Sequence, residues 1–143
     1  AYGLNDSGMI TGQYFNAGLN RMQGFLLNGT SFSILDPGFV GETQSTGVDL
    51  NNAGTVVGNY FVGGNAHGFV YSSGVYRPFD VPGSSQTGLV TINNLGVIGG
   101  VYVDALDREH GFIANPVPEP SSIVTLAVGG VILLARARRL RRI

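Results

Sequence analysis

The sequence predicts a mostly β fold, made of repeated antiparallel units of about 44 residues, with one transmembrane α-helix at the C-terminal end. Three observations predict it. A turn-and-strand pattern occurs three times along the chain. Glycine makes up 23 of 143 residues, more than twice its ordinary usage of about 7%, which favours many turns over long helices. Residues 121–135 carry no charge and run into a cluster of arginines at the end of the chain.

The repeat begins with LNDSGMITGQYF at Leu4 to Phe15, LNNAGTVVGNYF at Leu50 to Phe61, and INNLGVIGGVYV at Ile92 to Val103. A second element follows each copy: QGFLLNG from Gln23, HGFVYSSG from His67 and HGFIAN from His110. A third follows the first two copies: FSILDPG from Phe32 and FDVPG from Phe79. The Asn-x-x-Gly segments are turn sequences, because Asn and Gly tolerate left-handed dihedrals. The alternation after each turn reads as a strand. Ile10, Val57 or Ile98 is expected on one face with Tyr14, Tyr60 or Tyr102, and Gly12, Gly58 and Gly100 share it, leaving room for a backbone or ring. The Gly-Phe pairs start a second strand, closed by Asn28-Gly29 or Ser73-Gly74 as hairpin turns. Phe32 to Leu35 and Tyr76 to Val81 form a third, ended by Pro-Gly turns. Thr46 to Leu50 and Leu89 to Ile92 supply a fourth. Three or four antiparallel strands per unit is the size of a propeller blade, so the array is expected to be partly propeller-like.

Composition excludes several function classes. With no Cys there is no disulfide framework, thiolate metal site or cysteine nucleophile. With no Lys there is no Walker A loop. Hydrophobic content of 43% argues against a disordered chain. The formal charge of −1 conceals two regions. Residues 1–120 hold three Arg and all nine acids, whereas the last eight residues hold Arg136, Arg138, Arg139, Arg141 and Arg142. An acidic body is not suited to phosphate neutralisation, so no nucleic-acid partner is expected.

Ser121 to Ala135 reads SSIVTLAVGGVILLA. As a helix it spans about 22 Å, short of a hydrocarbon core of about 30 Å. Flanking residues and snorkelling Arg stems close the gap. Arginines directly after an apolar run form the stop-transfer pattern of the positive-inside rule, which sets the tail in the cytoplasm and the body across the membrane. The competing reading is a buried core helix with a solvated basic end.

Two resemblances follow from these residues. The G-x-I-x-G-x-Y, G-F, D-x-P-G order over Gly3 to about Asn115 resembles HAF-type extracellular β-repeats of bacteria. Here the named triplet reads His67-Gly68-Phe69 and His110-Gly111-Phe112, with Gln23 in place of the first His. The C-terminus resembles the PEP-CTERM sorting signal. Val117, Pro118, Glu119 and Pro120 carry its motif, followed by the apolar segment and the Arg cluster. That resemblance implies export in a Gram-negative bacterium, processing near Pro-Glu-Pro by an exosortase-type membrane protease, and association with a cell surface or exopolysaccharide matrix. Proline keeps Val117 to Pro120 extended, a form a protease cleft grips. The expected organisation is 1–115 repeat region, 116–120 linker motif, and 121–143 transmembrane helix with Arg-rich tail.

The remaining candidate residues are weighed against structural roles. His67 and His110 recur at one repeat position, which points to packing or a turn contact. Asp36 and Asp80 stand at Pro-Gly turns, where an Asx turn competes with a calcium ligand. Asp104, Asp107 and Glu109 form a weak Ca²⁺ candidate against the alternative of a solvated loop. The Asn28-Gly29-Thr30 sequon sits in a tight turn. No catalytic residue and no cofactor is expected. The expected function is that of an exported structural or binding protein. The alternatives are a propeller enzyme acting on extracellular polysaccharide, with its active residues elsewhere, and a permanently tail-anchored protein. The chain is expected to be the C-terminal piece of a longer precursor carrying a signal peptide and further repeats.

Overall fold

The computed structural model describes residues 1–117; Pro118 to Ile143, and with them the expected transmembrane helix, lie outside the described residues. Among the described residues there are eleven strands, no helix, and so no helix long and apolar enough to cross a membrane. The strands form three antiparallel sheets, each a meander in chain order. The first holds β1 (Gly3–Leu4), β2 (Ile10–Asn16), β3 (Arg21–Asn28) and β4 (Ser31–Leu35). The second holds β5 (Glu42–Leu50), β6 (Val56–Val62), β7 (Asn65–Ser72) and β8 (Val75–Phe79). The third holds β9 (Gln86–Ile92), β10 (Ile98–Val103) and β11 (Glu109–Ala114).

The turns form for the reasons their residues dictate. In each unit an Asn joins the first strand to the second. Asn5 Oδ1 accepts from the backbone N–H of Ser7 and Met9, Asn51 Oδ1 from Thr55, and Asn93 Oδ1 from Leu95 and Val97. The glycine three places on closes the turn at φ near +80°, at Gly8, Gly54 and Gly96. Ser73 and Gly74 both take positive φ between the paired residues Ser72 and Val75, the geometry of a two-residue hairpin.

The glycines on the second strand leave room for a ring. Gly12, Gly58 and Gly100 pair across the sheet with Phe25, Phe69 and Phe112. A Cβ at Gly100 would stand 2.7 Å from the Phe112 ring, and one at Gly12 2.9 Å from Phe25. Val56, not Val57, shares the face of Gly58 and Tyr60; strict alternation sends Val57 to the opposite side, where it packs with Leu89, Ile92 and Ile98. The Gly-Phe pairs also lie inside β3, β7 and β11 rather than at their starts. The segments read as a fourth strand open their sheets: β5 and β9 come first in the second and third sheets.

Consecutive sheets pack through two cores. Leu26 and Leu35 of the first sheet meet Leu50, Val56, Tyr60 and Phe69 of the second. Val57 meets Leu89, Ile92 and Ile98 of the third, with Val70, Phe79 and Phe112 against them. Phe69 is fully buried, and burying such a side chain stabilises by about 1.5–3 kcal/mol. Backbone approach is close: a Cβ at Gly24 would lie 2.9 Å from Gly47 N, and one at Gly68 2.7 Å from the Leu89 side chain. An asparagine ladder runs beside these cores. Asn5 Nδ2 donates to Asn51 O at 3.0 Å and Asn51 Nδ2 donates to Asn93 O at 3.2 Å.

Candidate functional site

The residue before each repeated glycine builds a constellation that recurs in all three units. Tyr14, Tyr60 and Tyr102 on the second strands pair across the sheet with Gln23, His67 and His110 on the third. Tyr60 stacks on His67 at 5.3 Å between ring centroids, and Tyr102 on His110 at 5.0 Å. Tyr14 donates its hydroxyl to Gln23 Oε1 at 3.2 Å.

An aspartate completes each set. Gln23 Nε2 donates to Asp36 Oδ2 at 2.8 Å, and His67 Nδ1 lies 3.0 Å from Asp80 Oδ2. Both aspartates lie just beyond the end of the fourth strand, thirteen residues after their partner. The pairing joins the third and fourth strands where they meet. Among the described residues no strand follows β11, and His110 turns back to Asp104 in the β10–β11 loop, Nε2 to Oδ2 at 2.9 Å. The carboxylate orients each imidazole, engaging Nδ1 of His67 and Nε2 of His110. Asp36 and Asp80 thus bind side chains on the neighbouring strand, a role that the Pro-Gly context did not suggest.

A tighter charged cluster sits where the first sheet passes into the second. Asp36 takes the guanidinium of Arg21 as well as Gln23. Glu42 folds back over the linking turn, its Oε2 accepting from the N–H groups of Gly38 and Phe39, while the Phe39 ring packs on Tyr60 at 4.8 Å. Burial, then the neighbouring charge of Asp36, pushes the Glu42 carboxyl up to about 7. Its Oε1 is buried with no donor in reach, and side-chain hydrogen bonding with Asp36 adds to the rise. Burial and the charges of Asp80 and Glu42 likewise raise the Tyr60 hydroxyl. Glu42 was not legible as a site residue, since only the folded turn between the closed first and second sheets brings it, buried, to Asp36.

The Ca²⁺ candidate residues are not assembled as ligands. Asp104 accepts from Leu106 N, Arg108 N, the Arg108 guanidinium and His110. The His110 hydrogen bond first, then the Arg108 N–H, hold its carboxyl well below the usual carboxylate range. Asp107 is at the loop tip with φ of 62° and Glu109 is exposed on β11. Among the described residues no group of three or more His, Asp or Glu side chains is placed to hold a metal ion.

An apolar groove of about 530 Å³ lies between the second and third sheets, lined by Val70, Phe79, Ile98, Pro116 and Val117 among others. Val117 of the expected sorting motif is exposed there. Pro118, Glu119, Pro120 and the five C-terminal Arg lie outside the described residues. Comparison with family models, curated proteins and solved structures finds no match to this chain.

Proposed function

We propose that this chain is an exported structural or binding protein of a bacterial cell surface or exopolysaccharide matrix, sorted through its C-terminal segment. The observation that carries the reading is the order at that end: Val117-Pro118-Glu119-Pro120, an uncharged apolar run, then five Arg within the last eight residues. The apolar run holds the precursor in the membrane and the Arg cluster stops translocation. The rigid Pro-Glu-Pro label is then presented to an exosortase-type protease. The repeat body is read as blades of a propeller-like array. Three meandering sheets that pack face to face support this reading. The repeated polar sets are tied up within their own sheets, which favours a scaffold over a catalyst.

Mass spectrometry of the C-terminus of the mature, envelope-associated protein tests the reading. A terminus between Pro118 and Ser121 is expected. An intact Ile143 refutes sorting by cleavage and makes the segment a permanent anchor.

A further inference from the structure

The hairpin of β7 and β8 in the middle sheet sets two phenols against each other. Ser73 and Gly74 close it as a two-residue turn between the paired Ser72 and Val75, and the next pair outward is Tyr71 and Tyr76. In such a hairpin the pair beside the turn exchanges backbone hydrogen bonds and the following pair does not. Pairs of that second kind bring their side chains closest. The two rings stand 4.7 Å apart between centroids at an interplanar angle of 44°, near the short end of the range of about 4.5–7 Å for aromatic pairs. All six tyrosines of the chain lie among the described residues. There, every other ring contact that a tyrosine makes is with Phe or His.

The fold asks little of these hydroxyls. The same pair in the first sheet is Leu27 and Phe32, so an aliphatic and an aromatic side chain fill the place without a phenol. The Tyr76 hydroxyl donates to Ile34 O at 3.4 Å, long for an O–H donor. Burial first, then the Tyr71 phenol, raises that hydroxyl above its ordinary value, so the two oxygens lie within electrostatic reach of each other. Both rings are half-buried against the core that the first and second sheets share.

We infer that Tyr71 and Tyr76 are a site of oxidative cross-linking, at which a one-electron oxidant of the haem-peroxidase class, driven by peroxide, joins the two rings through a carbon–carbon bond. This goes beyond the sorting reading and does not depend on it. Each phenol gives one electron to the oxidant and one proton to water. What remains is a phenoxyl radical whose unpaired electron is shared with the ring carbons beside the oxygen. A Cε of Tyr71 then bonds a Cε of Tyr76. The hydrogen on each of those carbons moves to its own oxygen, which restores both phenols. Two electrons and two protons have left the protein, and the peroxide takes them up as it is reduced to water. The chain has no Cys, so a disulfide cannot staple it in an oxidising compartment. This bond ties β7 to β8 instead.

Treatment of the full 143-residue chain with a haem peroxidase and limiting hydrogen peroxide, in a mild non-ionic detergent, tests this. The monomer is expected to lose the mass of two hydrogens and to gain the blue fluorescence of dityrosine. Its fractional yield is expected to stay constant on dilution, because the link forms within one chain. Fragmentation of the wild-type product is expected to map the link to Tyr71 and Tyr76. Tyr71→Phe and Tyr76→Phe each keep the ring and remove only a hydroxyl. Each is expected to keep its far-UV spectrum and lose the intrachain product. Tyr2, 61% exposed, is open to coupling between chains, and Tyr2→Phe is expected to leave the intrachain yield unchanged. A wild type that forms no intrachain dityrosine overturns the inference. So does a link that maps to other tyrosines, or a yield that Tyr71→Phe leaves intact. None of these outcomes touches the sorting reading, which rests on the C-terminal cleavage.

Discussion

Replacing Glu42 by Gln should remove a pH dependence that one carboxyl group imposes on the folded body. Glu42 titrates at about 7 in the folded protein against 4.5 as a free side chain. Between those values the folded state binds more protons than the unfolded state, so stability falls as pH rises through that window. It is flat below the lower value and above the upper one. A fully realised shift of this size corresponds to roughly 3 kcal/mol, at about 1.36 kcal/mol per unit. Glu42 remains in partial contact with solvent, and screening reduces the expected effect to about 1–2 kcal/mol. Gln keeps an oxygen for the N–H groups of Gly38 and Phe39 and offers Asp36 a permanent donor. Urea unfolding followed by circular dichroism at pH 4.5 and pH 8 reads the difference. Wild type and Glu42→Gln should be close at pH 4.5, and the variant should be more stable by about 1–2 kcal/mol at pH 8. Equal wild-type stability at both values would refute the raised Glu42 carboxyl. So would a Gln variant that gains the same amount at each pH.

Three further perturbations separate the parts of the repeat. Gly58→Ala drives a methyl into the Phe69 ring and the Thr46 carbonyl and should cost about 1–3 kcal/mol in a denaturant titration, whereas Gly88→Ala, with its nearest neighbour at 3.5 Å, should stay within about 0.5 kcal/mol. His67→Gln should be nearly neutral, because Gln23 already holds Asp36 in the equivalent place, while His67→Leu strands Asp80 and should cost about 1 kcal/mol by the same titration. Asn51→Ala removes both the Thr55 turn bond and the Asn93 contact between sheets and should cost about 2–3 kcal/mol; Asn93→Ala removes its turn bonds to Leu95 and Val97 and should cost about 1 kcal/mol.

Where the sequence is punctuated by Asn-x-x-Gly and alternates strictly, the fold can be read directly. β2, β6 and β10 follow from those two signals, and the Ser73-Gly74 hairpin from its dihedral demand. β5 is harder to read, because Glu42–Leu50 shows no apolar alternation. Apart from Leu50 at its end, its inward side chains are small or polar: Ser45 is 1% exposed and accepts from Gly24 N while donating to Leu35 O. The His–Asp and Gln–Asp pairs did leave a trace, a constant separation of thirteen residues in two units. The Pro-Gly context hid it, since Asp before such a turn ordinarily bonds its own backbone. Glu42 left none, because its environment exists only once the first two sheets have closed.

The polar groups between sheets explain why apolar residues alone do not fix this stacking. Val, Leu and Ile faces attract without direction, and two such sheets could slide by a residue at little cost. The first strand of the second sheet prevents this by bonding the backbone of the first sheet, and the first strand of the third bonds the segment that links it to the second. Ser45 binds Gly24 and Leu35, and Thr87, its counterpart, accepts from Val81 N at 3.0 Å. Both hydroxyls are buried, so a slip of one residue would strand each of them together with its backbone partners, at about 1–3 kcal/mol per group. The asparagine ladder adds the same constraint at the turns. Register is therefore set by groups that contribute little net stability when satisfied and cost much when they are not, while the aromatic and aliphatic cores supply the attraction.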